Sequence, residues 1–140
     1  MLGSGKPALV VPHVGTPTQG VDTVLLAWKE TREAAHALAA ALPMLHLAST
    51  VHVALDADTP ETSRDLLLRY LQRHGVEATC RALASARADA GDLLLSMAAD
   101  VGADLLVMGC YGHTRTRELV LGGATRTVLR SMTLPVLMAH

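Results

Sequence analysis

The stretch with the most chemical potential runs from Met108 to Thr125 and reads MGCYGHTRTRELVLGGAT. Gly109 and Gly112 follow directly on DLLVM (Asp104 to Met108), an apolar run of strand type. Ligands of open α/β sheets bind where strands end, and glycine there lets the backbone take positive φ and approach a ligand closely. Gly122 and Gly123 interrupt a helical pattern, at a cost of about 2 kcal/mol relative to alanine if they lay inside a helix. The pattern therefore predicts a short helix near Arg115 to Val120, a break, and a fresh helix starting near Gly123. A helix start offers unpaired N–H groups and the positive end of the dipole, which suits phosphate. Thr125 adds a hydroxyl in the first turn, and Arg115, Arg117, Arg126 and Arg130 flank the segment with Glu118 the one acid among them. On glycines alone, loop shaping and a solvated arginine face explain the segment equally well.

Other chemistries lack their residues. The first strand is followed by Trp28-Lys29-Glu30-Thr31, not by a glycine-rich dinucleotide turn, and no phosphate-binding loop ending in Gly-Lys-Ser/Thr is present. A receiver domain would need acids after the first strand and an aspartate ending the third, which finishes near Ala82-Leu83-Ala84. His36, His46, His52, His74 and His113 are scattered without ligand spacing, so no metal site is expected. No nucleophile, base and orienting group come together, and no catalytic residue is assigned. Cys80 sits in an apolar alternation and Cys110 in the glycine loop, which reads as two free thiols in a reducing cytoplasm.

Alternating periodicities position these residues. Strands are expected at Thr23 to Trp28, Val51 to Leu55, Val76 to Ala82, Asp104 to Met108 and Pro135 to Ala139. Between them lie a helix capped by Thr31 and reaching Leu47, a helix opened by Thr59-Pro60-Glu61 and closed by Gly75, and a helix from Asp89 to Val101 closed by Gly102. Such alternation specifies an α/β fold with an open five-stranded parallel sheet, right-handed crossovers and helices on both faces. The segment Pro7-Ala8-Leu9-Val10-Val11 resembles Pro135-Val136-Leu137-Met138-Ala139, so residues 8–11 read as a further apolar strand before the first strand–helix unit. Two parts follow: residues 1–20 as extra strand and linker, and residues 21–140 as the α/β domain that carries the glycine-rich segment.

Composition narrows the partners. The chain has 140 residues, 50% hydrophobic and 18% charged, with a formal net charge of −1. That is one globular domain with a real core, without the basic field that draws proteins to nucleic acid or anionic membranes. Trp28, Tyr70 and Tyr111 are the only aromatics, too few for a base-stacking platform. No apolar run approaches the ~18 residues that span a bilayer, so a soluble cytoplasmic protein is expected.

The spacing Gly, two residues, Gly, nine residues, Gly, with Met-Gly before it, resembles the nucleotide loop of the universal stress protein family. The resemblance runs from about Val21 to His140 and implies the strand order 3-2-1-4-5. It implies binding of ATP or another adenine nucleotide, with or without Mg: Met108 and Gly109 beside the ribose, Gly109 and Gly112 shaping the loop, and Gly122, Gly123, Ala124 and Thr125 at the phosphates. Two positions depart from the pattern. Gly123 stands where nucleotide-binding members have Ser or Thr, and Lys29 where they have an acid near the adenosine. The resemblance further implies a homodimer joined through the edge of the last strand, and makes residues 1–13 look like the tail of a preceding domain in a tandem chain, with residues 8–11 as an extra antiparallel edge strand against residues 136–138. Stress-response regulation through a nucleotide is the function implied; a dimerisation scaffold that has lost its ligand is the alternative.

Overall fold

A computed structural model describes residues 5–14, 20–84, 89–110 and 122–140. Gly112, His113 and the short helix expected near residues 115–120 lie outside the described residues. The elements are β1 (Ala8–Val10), β2 (Thr23–Ala27), α1 (Arg32–Leu47), β3 (Thr50–Asp56), α2 (Glu61–Arg73), β4 (Thr79–Leu83), α3 (Ala90–Asp100), β5 (Leu105–Gly109), α4 (Gly123–Ser131) and β6 (Val136–Ala139).

These strands form one six-stranded sheet in the order β1-β6-β5-β2-β3-β4. The α/β class is as expected, but the sheet as a whole is mixed and six-stranded, because β1 is a full member. It runs antiparallel to β6, with Ala8 opposite Met138, Leu9 opposite Leu137 and Val10 opposite Val136. The remaining neighbours are parallel. Counted from β2 as one, the parallel strands read 3-2-1-4-5. The edge of residues 136–138, expected to join a second chain, pairs here with this chain's own β1.

Parity explains the two layers. Val24, Leu26, Val53, Leu105, Val107 and Leu137 project into a core beneath α1 and α2. Leu25, Ala54, Leu106, Met108, Val136 and Met138 project the other way, under α3 and α4. Burial on both faces is why β2, β5 and β6 read as unbroken apolar runs.

The helix ends show which local signals were decisive. Thr31 caps α1 by accepting the Ala34 N–H at 3.2 Å. Gly75 and Gly102 take φ of 72° and 65°, which a side chain would resist. After α2, Gly75 N–H bonds Gln72 O at 2.9 Å and Val76 N–H bonds Leu71 O at 2.9 Å. This paired closure holds Val76 to the helix end, so the third parallel strand starts at Thr79 and not at Val76. The start of α2 also differs from expectation. Pro60, extended at ψ 141°, is the N-cap, and no side chain caps this helix; the Thr59 N–H instead turns back to Asp56 O at 3.0 Å.

Candidate functional site

The carboxyl ends of the parallel strands open onto a cavity of about 310 Å³, at the lower end of the volumes typical of small-molecule sites. One wall is the end of β2 and its continuation, Ala27, Trp28 and Lys29; the opposite wall is the start of α4, Gly122, Gly123 and Ala124. Ala54 and Leu94 give it an apolar lining, and Asp89 and Ala90 bring the start of α3 to the same rim. Two helix N-termini therefore meet at one side of the cavity. That of α3 is capped, since the Asp89 carboxylate accepts the Gly91 N–H at 2.7 Å. That of α4 has as its N-cap Gly122, which carries no side chain to cap the helix, and Gly122, Gly123 and Ala124 line the cavity there.

α3 and α4 are packed tightly there. A Cβ added to Gly91 would come within 2.6 Å of Ala124 O and 2.8 Å of Thr127 Cβ, so this position admits only glycine without movement. Gly123 is different: its missing Cβ would meet only Asp89 Oδ2, at an ordinary 3.5 Å.

Lys29, Gly122, Gly123 and Ala124 thus come together, as the sequence suggested. Met108 and Thr125 are fully buried and lie outside the cavity lining. Gly109 has a packing reason to be glycine, because a Cβ would sit 2.6 Å from Ala34 N and 2.7 Å from Glu33 C, at the start of α1. Gly112 is outside the described residues. Trp28, Glu33, Asp56, Asp89 and Cys110 line the cavity without having been singled out. Asp89 carried a signal, an N-cap residue opening a helix; the others are brought in by tertiary geometry alone.

The charges are lopsided. Lys29 Nζ lies 3.9 Å from Asp56 Oδ2, both about half exposed, while Glu33 and Asp89 add two further carboxylates to the lining. Glu30 points elsewhere, accepting the Ser63 hydroxyl of α2 at 2.7 Å. Burial, and then the Glu33 carboxylate, push the Cys110 thiol above its usual range, so it stays protonated and is a poor nucleophile. Trp28 Nε1 is buried without a hydrogen-bond partner among the described residues. Among those residues, too, no three His, Cys, Asp or Glu side chains are grouped to hold a metal, and no helix is long and apolar enough to cross a membrane.

The chain is thus an α/β domain with helices on both faces of its sheet and a cavity at the strand ends, beside the start of α4. Residues 13–140 match the family described as the Universal stress protein family, and the chain belongs to it. It is 53% identical to Universal stress protein Slr1230 of Synechocystis over 38 residues, which is 27% of this chain and 13% of that protein. It is 36% identical to Universal stress protein MJ0577 of Methanocaldococcus jannaschii over 44 residues, 31% of this chain and 27% of that one. Among solved structures, a universal stress protein from Archaeoglobus fulgidus superposes with a TM-score of 0.75 at 19% identity, over 97% of this chain and 50% of that one. A universal stress protein in complex with cAMP superposes with a TM-score of 0.65 at 22% identity, over 87% of this chain and 98% of that one. The present chain thus spans half the length of the Archaeoglobus chain, and its curated matches are short stretches of those proteins.

Proposed function

We propose that this domain binds an adenine nucleotide, ATP or a close relative, and serves stress-response regulation by changing state with the nucleotide supply. The observation that carries the reading is the glycine-capped start of α4, where Gly122, Gly123 and Ala124 line one cavity together with Ala27, Trp28 and Lys29. A helix start, with its positive dipole end, suits phosphate, and the apolar lining of Ala54 and Leu94 suits a base or ribose. The family member in complex with cAMP supports an adenine nucleotide as the class. In this reading Lys29 supplies the cation of the β2 wall, and Met108, Gly109 and Thr125 support that wall and α4 from below. The three carboxylates of the lining oppose a bare polyphosphate. Mg would therefore enter on the phosphates, where one or two carboxylates suffice to complete its shell. No catalytic role is proposed for any residue.

Calorimetric titration with ATP, ADP, AMP and cyclic AMP, with and without Mg, tests the reading. ATP should also raise the melting temperature, and Gly122→Val should abolish that rise while leaving the unliganded fold intact. A chain with unchanged melting at millimolar ATP would instead favour the scaffold function. Lys29 and the hydroxyl-free Gly123 are the observations on that side.

A further inference from the structure

The chain that walls the cavity beyond β2 is anchored at three places. The Trp28 N–H bonds Ala54 O of β3 at 3.0 Å, and Thr31, the cap of α1, turns its N–H back to Lys29 O at 2.7 Å. Between these stands Glu30, an exposed residue whose carboxylate accepts the Ser63 hydroxyl at 2.7 Å. Ser63 lies in the first turn of α2 and is 6% exposed. It heads the buried stripe Ser63, Leu67 and Leu71 of that helix. A small apolar residue would serve packing there as well; a buried hydroxyl needs a partner, and Glu30 supplies it. α2 has no side-chain cap of its own, so a carboxylate brought to its first turn also meets the favourable end of the helix dipole.

We propose that Glu30 and Ser63 are positioning residues for the cavity: their bond holds the Trp28–Lys29 wall where it meets the ligand, and makes ligand affinity depend on the seating of α2. Neither residue lines the cavity, and α2 contributes no described residue to the lining. The ligand is the nucleotide of the reading above, on which this inference rests. Lys29, next to Glu30, has a half-exposed ion pair with Asp56 at 3.9 Å, and a contact of that kind fixes little by itself. The bond to Ser63 is charge-assisted and correspondingly stronger. Trp28 registers the constraint, since it lines the cavity and also packs against the core beneath α1 and α2. Its indole N–H has no hydrogen-bond partner among the described residues, so packing and the backbone place the ring. Release of Glu30, two residues on, frees that backbone.

Trp28 is the single tryptophan of the chain, so its fluorescence reports on the wall with or without a ligand. The full chain is compared with Glu30→Ala, Ser63→Ala, the double variant and Glu30→Gln. Without ligand, either alanine variant should move Trp28 emission to longer wavelength and make it more readily quenched by acrylamide. The double variant should add nothing, because each single change already breaks the same bond. Glu30→Gln keeps an oxygen acceptor and should recover most of what Glu30→Ala loses. In calorimetry with ATP and Mg, each alanine variant should bind about tenfold more weakly, with the same non-additivity and the same recovery. If Ser63→Ala unfolds the chain by circular dichroism, the two variants of the exposed Glu30 carry the test. Variants that melt earlier yet keep wild-type quenching and wild-type affinity would reduce the bond to a fold contact and overturn the inference, as would additive effects of the two alanines. A wild-type chain that binds no ATP would defeat the nucleotide reading; altered quenching in the alanine variants would still uphold the positioning of the wall, and unchanged quenching would overturn it.

Discussion

Lys29, two residues past the end of β2, and Asp56, the last residue of the neighbouring strand β3, lie 3.9 Å apart in the lining of the cavity. The lysine is thus not a free charge pointing at a ligand. It is the partner that offsets one of the three carboxylates there.

From this pair comes the first prediction. Lys29→Asp would restore the residue type the family pattern favours, yet it would set two carboxylates side by side and leave the lining with no cation among the described residues. ATP affinity should fall about fivefold, on the order of 1 kcal/mol, as for loss of a half-exposed pair. The exchange Lys29→Asp with Asp56→Lys should recover most of it by calorimetry. Stronger binding by the single variant would show that the acid itself makes a ligand contact.

Gly123 offers a gain. Its Cβ direction is open, with only Asp89 Oδ2 at 3.5 Å. Gly123→Ser and Gly123→Ala should both stabilise the unliganded fold, by up to about 1 kcal/mol from helix propensity. Only serine should also tighten ATP, by a factor of about five for one added hydrogen bond. Melting curves with and without ATP separate the two effects, and equal ATP shifts in both variants would remove the hydroxyl from the account.

Gly109 should behave as a packing residue. Its Cβ would intrude on Ala34 N and Glu33 C at the start of α1, so Gly109→Ala should cost about 1–3 kcal/mol without any ligand. Urea denaturation of the unliganded chain measures this. An unchanged midpoint coupled with lost ATP binding would return Gly109 to a direct ligand role.

A pH dependence follows from His52 on β3. Its Nδ1 accepts the Arg81 Nε–H at 3.2 Å, which requires a neutral ring. Burial first, and Arg81 second, hold its pKa below the ordinary 6.5. Between the unfolded value of about 6.5 and the lower folded one, the unfolded chain binds the extra proton. Stability from this group therefore falls as pH drops through that window. His52→Gln keeps an acceptor and removes the titration. The variant should gain on wild type as pH falls from about 7.5 to about 5.5, read as the difference in melting temperature. A difference independent of pH would rule His52 out as its source.

Sequence legibility tracked how local each determinant is. Thr31, Gly75 and Gly102 act within a turn of their own position, and each does what its residue type predicts. Thr59 and Pro60 both carry start signals one residue apart, and only the backbone bonds of Asp56 and Pro60 decide between them. The glycine-rich start of α4 was visible because a break in periodicity is a one-dimensional signal. Glu33, Asp56 and Cys110 were not, since they reach the cavity from three different strand-to-helix junctions. Met108 shows the limit of reasoning from strand ends: parity turns it into the core under α3 and α4.

Gly91 lies more than thirty positions before the α4 start, yet its hydrogen rests against Ala124 O, where a methyl would be 2.6 Å away. The wall that α4 gives the cavity therefore depends on the seating of α3 on α4. In a mutational scan scored by ligand binding, position 91 should behave like a member of the loop. A designer grafting residues 108–125 onto another α/β sheet would need to carry Gly91 with them, or the transplanted amides would point at the wrong place.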